Sequence, residues 1–281
     1  MESTGFEQGH YKVKDVCAYF GISKQGFYKG KKVMIKQELE EEIIIEMVME
    51  VRRKLPRTGG KKLYRMLQKD LILHNIVIGR DKFFDILREH KLLIERRRQY
   101  VKTTNSRHHY YIYDNLIKDL VTNRSNQVVV SDITYIRTLE GFCYLSLISD
   151  LYSRKILGYD LNKSLGIEGA LKALKGALKG IKNTDGMIHH SDRGVQYCSY
   201  PYTDLLKENK IKISMGEAGN PYDNAVAERI NGILKDEFGL DAIFDSIKHA
   251  EKAVREAVKY YNELRLHTSI GYKTPAEKYA A

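Results

Sequence analysis

The feature that most constrains this chain is the run Val128–Arg137 (VVVSDITYIR), a β-branched, apolar stretch holding one carboxylate, Asp132. Val128, Val129, Val130, Ile133 and Ile136 suit a buried strand. An aspartate inside such a strand costs free energy unless it is paired or bound to a metal. The chain must therefore build a core around this segment and bring to Asp132 a partner that tolerates its charge.

The flanking segments say which core. Phe142–Leu151 and Lys155–Leu161 are two further apolar runs, with Gly141 and Ser153 at turn positions, so a three-stranded antiparallel meander is expected. Over Ile167–Ile181, Leu171, Leu174 and Leu178 recur at helical spacing with lysines opposite. Met187–His190 reads as a short strand that delivers Asp192 at its end, Tyr202–Asn209 as a helix and Ile211–Ser214 as another strand. Gly219, Asn220 and Pro221 form a turn, after which Asp223 or Asn224 caps a helix over Ala225–Phe238. Three strands, helix, strand, helix, strand, helix is the order of a ribonuclease-H-like α/β fold, a mixed five-stranded sheet with helices. In that arrangement the first strand lies mid-sheet, the strand after the first helix pairs beside it, and a later helix packs across that edge.

Asp132, Asp192 and Glu228 lie on these three elements, so one acid from each can converge. Carboxylate oxygens are hard ligands suited to Mg²⁺. Two such ions about 3.5–4 Å apart can serve the attacking and leaving oxygens of a phosphodiester. Glu228, Asn231 and Lys235 follow helical spacing, and Glu228 and Lys235 share a face. Taken alone, that pattern equally describes a solvated helix face. Asp150 is a rival acid, but an Asx turn beside Tyr152 and Arg154 accounts for it. His189, His190 and Cys198 lack the second pair of ligands a zinc site needs; His190 is expected to orient Asp192 or to meet a DNA phosphate. Tyr260, Tyr261, Arg265 and His267 either pack under the Glu228 helix or touch DNA.

The remaining regions point to nucleic acid. The formal net charge is +11 and the pI is near 9.3, the balance of a protein that meets a polyanion. Within Val13–Lys29, Val16, Cys17 and Phe20 share a helical face, Gly21 ends that helix, and Ser23 caps a short second helix carrying Lys24 and Lys29. Helix, glycine turn and capped helix form a helix-turn-helix, an all-α DNA-binding unit, though an ordinary helical hairpin has the same pattern. A long helix over roughly 35–54 is expected next, then a break at Pro56, Gly59 and Gly60. Helices over Lys61–Leu71 and Arg80–His90 should close a second core of Leu63, Leu67, Phe83, Phe84, Ile86 and Leu87, with the apolar residues of the loop Leu73–Ile78 sealing it. Arg96, Arg97 and Arg98 begin a basic stretch that is either a solvated linker or an arm neutralising phosphates. The division expected is 1–32 helix-turn-helix, 33–95 second helical unit, 96–126 basic linker, 127–240 catalytic core and 241–281 C-terminal helix and tail. No apolar run spans a membrane, Met1–Gly9 lacks a signal-peptide core, and Cys17, Cys143 and Cys198 read as reduced thiols.

The strings DITYI (132–136), HSDRGVQY (190–197), GNPYDNAVAERINGILKDE (219–237) and YNELRLHTSIGYKTPAE (261–277), with 35 residues between Asp192 and Glu228, resemble the transposases of bacterial insertion sequences, most closely the second-frame protein of the insertion-sequence-three family. The resemblance runs from about residue 10 to the end. It implies a retroviral-integrase-like core and a metal-binding catalytic triad of Asp132, Asp192 and Glu228. It also implies two Mg²⁺ ions that Mn²⁺ can replace, and a substrate-contacting Lys235. The activity implied is 3′-end cleavage and strand transfer on double-stranded DNA, the element's terminal repeats and its target, without a covalent enzyme intermediate. DNA contacts are expected at Lys235, Asn231, Lys24, Lys29, Arg96, Arg97, Arg98 and His190. A homo-oligomer, an upstream-frame protein fused by frameshift, and a cytoplasmic, nucleoid-associated location belong to the same expectation. The chain departs from the family at Val129 or Val130, where relatives often carry Trp, and at Arg265-Leu266-His267, where they read Arg-Pro-His. A ribonuclease-H-like nuclease that does not join, and a DNA-binding regulator, are the competing readings.

Overall fold

A computed structural model describes residues 12–95, 109–217 and 224–281. Two compact units emerge, one of Met1–Val51 with Gly59–Leu93 and one of Arg52–Thr58 with Ile94–Ala281.

The first unit is helical: α1 (Val13–Tyr19), α2 (Lys24–Lys54), α3 (Gly60–Leu73) and α4 (Arg80–Glu89). Gly21, at φ 65°, takes the left-handed turn after α1, and the Ser23 hydroxyl accepts from the Gly26 amide at 3.0 Å. The expected short second helix does not end there. It runs without a break into the long helix as one 31-residue element. Nothing between Lys24 and Lys54 stops it: there is no proline, and its glycines are tolerated at a cost of about 1 kcal/mol each. Ile44, Val48, Leu63, Leu67, Leu71, Ile76, Phe83, Ile86 and Leu87 form the core, with Phe84 partly buried against it. The Leu73–Ile78 loop seals that core with Ile76 and Ile78 only; Leu73 and Val77 are exposed, pointing outward from the turn.

The second unit contains β1 (Val128–Thr138), β2 (Gly141–Asp150), β3 (Ile156–Asn162), α5 (Ile167–Lys179), β4 (Ile188–Ser191), α6 (Val195–Cys198), α7 (Tyr200–Glu208), β5 (Lys212–Met215), α8 (Ala225–Glu237), β6 (Ile243–Phe244), α9 (Ile247–Glu263) and α10 (Pro275–Ala280). The sheet order is β3-β2-β1-β4-β5, with the meander antiparallel and β4 and β5 parallel to β1. A two-residue strand that the sequence pattern does not announce, β6, pairs with the far end of β1 at Arg137 and Thr138. Among the described residues no helix is long and apolar enough to cross a membrane.

Helices cover both faces. On one, Val129 and Ile148 pack with Ala170, Ala173, Leu174 and Ala177 of α5 and Tyr202 and Leu206 of α7. On the other, Ile136, Leu145, Leu147 and Ile156 pack with Ile230, Ile233 and Leu234 of α8 and Ala250, Val254 and Tyr261 of α9. Side chains alternate along a strand, so Val129 and Ile136 face opposite layers, and even-numbered Asp132 points with Ile136 toward α8.

The contact between α5 and β3 is set by Gly158. A Cβ there would lie 2.1 Å from the Ala173 carbonyl oxygen and 2.6 Å from the Ala177 nitrogen, both rigid backbone atoms. Gly158→Ala must push α5 off the sheet and should lower stability by roughly 2–4 kcal/mol. Chemical denaturation measures this, and a change below about 0.5 kcal/mol contradicts the packing argument.

Candidate active site

The site is built where β1 and β4 run side by side. Their register pairs Val128 with Ile188, Val129 with His189 and Val130 with His190. Extended by two residues, it sets Asp132 level with Asp192, just past the end of β4. Residues opposite each other in parallel strands project to the same face. Two acids 60 residues apart in the chain are thus brought together by strand register.

Each carboxylate is held locally. Asp132 is half-buried; its Oδ1 accepts from the Ile133 amide at 2.9 Å and its Oδ2 from Asn231 Nδ2 at 2.8 Å. Asp192 Oδ1 accepts from the Gly194 amide at 2.9 Å, and a Cβ on Gly194 would press on that same oxygen at 3.0 Å. Glu228 is exposed on the first turn of α8, one turn before Asn231. Burial and then the Asp192 charge raise the Asp132 pKa to about 7, against the lowering effect of its two hydrogen bonds; Glu228 adds a smaller push in the same upward direction. The three acids therefore share one electrostatic neighbourhood. As they stand, no three acidic, histidine or cysteine side chains among the described residues are close enough together to hold one ion.

The other expected site residues fall differently. Lys235 lies 3.9 Å from the centre of the Tyr135 ring, with its pKa lowered by burial while the Asp132 charge acts to raise it. Asn231 is 5% exposed and spends its amide on Asp132, so it positions an acid from inside the fold where a DNA contact was expected. His190 is completely buried, with Nδ1 2.8 Å from Ser214 Oγ, a contact that ties β4 to β5. Asn224 precedes α8 without a side-chain cap and instead donates to the Ser131 carbonyl at 3.0 Å, joining α8 to β1. Lys24 and Lys29 are exposed on α2, whereas Arg96, Arg97 and Arg98 lie outside the described residues.

Two supports carry little signal in the sequence. His189 Nε2 lies 2.6 Å from Ser131 Oγ and 2.9 Å from Tyr202 OH, a buried cluster joining β1, β4 and α7 beneath the acids; burial lowers the His189 pKa to about 3, so it is neutral. Arg265 grips Glu237 at the end of α8 through two hydrogen bonds, 2.7 Å from Nε and 2.5 Å from Nη2. The Tyr261 ring is buried below, with His267 against its edge. The C-terminal residues thus pack under the helix that bears Glu228. Asp150 is spent on its turn, accepting from the Asn126 amide and from the amide and hydroxyl of Ser153.

The integrase core domain family matches residues 122–221 and again 209–275. An insertion element IS600 uncharacterized 31 kDa protein from Shigella sonnei is 34% identical over 94% of this chain and 98% of its own length. The transposase InsF for insertion sequence IS3A of Escherichia coli (strain K12) is 27% identical over 96% of this chain and 94% of that protein. The chain belongs to the insertion-sequence-three family of DDE transposases. The HTLV-2 integrase catalytic core, solved in complex with magnesium, is 18% identical to the transposase with a TM-score of 0.45, covering 57% of this chain and 99% of that one. The transposase has the ribonuclease-H-like core expected of a polynucleotidyl transferase, and its function is DNA transposition.

The raised Asp132 pKa has a consequence for stability. An unfolded aspartate titrates near about 3.9. The folded transposase binds the proton more tightly, so folding is increasingly penalised as pH rises from about 4 to about 7, and the penalty is complete above that. Asp132→Asn removes it. In chelator-containing buffer the variant should gain stability over the wild type across that window, levelling at roughly 1–3 kcal/mol after allowance for partial exposure. Denaturant melts at several pH values test this; equal stabilities at pH of about 8 contradict it.

Proposed function

We propose that Asp132, Asp192 and Glu228 hold two Mg²⁺ ions, or Mn²⁺ in their place, and that the enzyme uses them to cut the 3′ ends of its insertion sequence and join them to new DNA. The observation that carries this is the β1–β4 register that sets Asp132 level with Asp192, where burial, then the Asp192 charge, and least of all Glu228 disfavour the ionised Asp132. A cation relieves that repulsion, and three carboxylates with no sulfur or nitrogen among them suit a hard ion. When bound, such ions activate the attacking oxygen and stabilise the leaving one.

The chain's own groups prepare the site. The Ile133 amide and Asn231 hold the two oxygens of Asp132, and the Gly194 amide holds Asp192, so ordering these ligands costs less when the ions arrive. Lys235, flanked by Tyr135, supplies a cation for the DNA strand lying beside the acids. In the first reaction a water oxygen forms a bond to phosphorus as the bond to the element's 3′ oxygen breaks, leaving a 3′-hydroxyl. That hydroxyl then attacks a second phosphodiester, forming one P–O bond as another breaks, with no covalent link to the protein. In this reading 127–240 performs the chemistry and 241–281 braces it. Residues 1–32 and 33–95, with exposed Lys24 and Lys29, grip double-stranded DNA at the terminal repeats, and 96–126 neutralises phosphates. Pairing two element ends calls for a homo-oligomer, an upstream-frame protein fused by frameshift fits as a partner, and the work takes place in the cytoplasm at the nucleoid.

The test is a strand-transfer assay with labelled element ends and Mg²⁺. Wild-type protein should cleave and join, chelation should stop both, and Asp132→Asn should lose both while still binding DNA. Cleavage without joining would make the protein a nuclease; binding with neither, a regulator.

The basic stretch has its own test. Neutralising Arg96, Arg97 and Arg98 should weaken DNA binding and make the salt dependence shallower, by about 0.9 in log–log slope for each phosphate that the protein no longer neutralises. An unchanged slope assigns that stretch to a solvated linker.

A further inference from the structure

The N-terminal half of α2 carries an apolar stripe that no other described residue covers. Tyr28, Ile35 and Leu39 are 58%, 56% and 56% exposed. At 3.6 residues per turn they fall on one line, directly opposite Ile44 and Val48, the residues by which the same helix packs into its own core. Two series at seven-residue spacing make up this line: Tyr28, Ile35, Glu42 and Met49, and Lys32, Leu39 and Glu46. A seam that repeats every seven residues is the pattern by which one helix pairs with another.

The charges along the seam choose the partner. Its N-terminal part is basic and its C-terminal part acidic, with the apolar residues between them; Lys32, Glu42 and Glu46 are all exposed. Two copies laid parallel would set Lys32 against Lys32 and Glu42 against Glu42. Two copies laid antiparallel, with the two-fold axis crossing at the level of Gln37, set apolar residues against apolar ones and opposite charges against each other. Ile35 then meets Leu39 of the second copy, Lys32 meets Glu42, and the Tyr28 hydroxyl meets Glu46. Each contact occurs twice by symmetry, as a self-complementary two-fold interface requires. Among the described residues, the ion pairs Lys36–Glu40 and Lys82–Glu41 on this unit do not draw on Lys32, Glu42 or Glu46.

We propose that this face of α2 is the contact by which two copies of the chain associate, as an antiparallel helix pair centred on Gln37. Lys29 lies off the seam and stays available to DNA. The inference is independent of the metal chemistry proposed above, because it invokes no residue of the catalytic unit.

Cross-linking of the full chain tests it. The natural cysteines Cys17, Cys143 and Cys198 are buried. The double variant I35C/L39C should form an intermolecular disulfide under mild oxidation at micromolar protein, while Gln37→Cys, on the opposite side of the helix, should not. In the I35C/L39C background, Lys32→Glu should reduce dimer cross-linking about tenfold at low salt, Glu42→Lys should do the same, and the two together should restore it. No cross-link in I35C/L39C overturns the proposal. So does a cross-link that the charge changes leave untouched. If Lys32→Glu reduces DNA binding and leaves cross-linking unchanged, the face belongs to DNA and the proposal fails.

Discussion

The structure of the catalytic unit depends on one constraint, the need to keep a carboxylate in the middle of a buried strand. β1 is apolar over much of its length and lies at the centre of the sheet, with β2 on one side and β4 on the other. Asp132 is tolerated there because an amide from α8 and the next backbone N–H in its own strand take its two oxygens. Those bonds stabilise the charged form; burial and Asp192 oppose it more strongly, and the balance leaves the pKa near 7. A folded protein that keeps a carboxylate in so unfavourable a place gives up stability for it, as local rules are broken most often at functional sites.

Much of what surrounds the acids serves to hold three elements in register. His189, Ser131 and Tyr202 lock β4 to β1 and α7 from below. Asn224 and Asn231 tie the start of α8 and its second turn to β1. Arg265, from beyond α9, fixes the other end of α8 through Glu237 and is itself almost wholly buried. A buried, bidentate pair of this kind is unfavourable to desolvate and costly to break, which suits a brace on the helix that presents Glu228. It also explains how the Arg-Leu-His variant of the tail is accommodated: the arginine and histidine make the contacts, and Leu266 contributes a backbone carbonyl.

Legibility differs from one residue to the next. The strands β1 to β5 and the helices α5, α7 and α8 follow from local periodicity, with boundaries that agree with the pattern to within a few residues, whereas the short α6 and β6 are not announced by it. The helix-turn-helix pattern places the glycine turn and the Ser23 cap correctly but ends the second helix too early, because lysines and glycines suggest an end where the chain contains no true helix breaker. For Asn231 the family resemblance suggests a DNA contact, and for His190 the sequence leaves open a DNA contact or the orienting of Asp192. Both are buried and bonded inward, and nothing in a single sequence marks a polar residue as pointing into the fold. The seam on α2 is visible as a seven-residue repeat, but only the observation that Ile44 and Val48 use the opposite side shows that the seam is left over for a partner.

What the sequence alone determined is whatever depends on neighbours along the chain. An alternating run makes a strand and a 3.6-residue repeat makes a helix. What only the tertiary structure decided is whatever depends on register and packing between distant segments. The offset that sets Asp132 level with Asp192, the amide that Asn231 gives to Asp132, and the grip of Arg265 on Glu237 each join residues tens of positions apart. Such contacts are fixed by how whole faces interlock, a property of the complete core that no local window of residues contains.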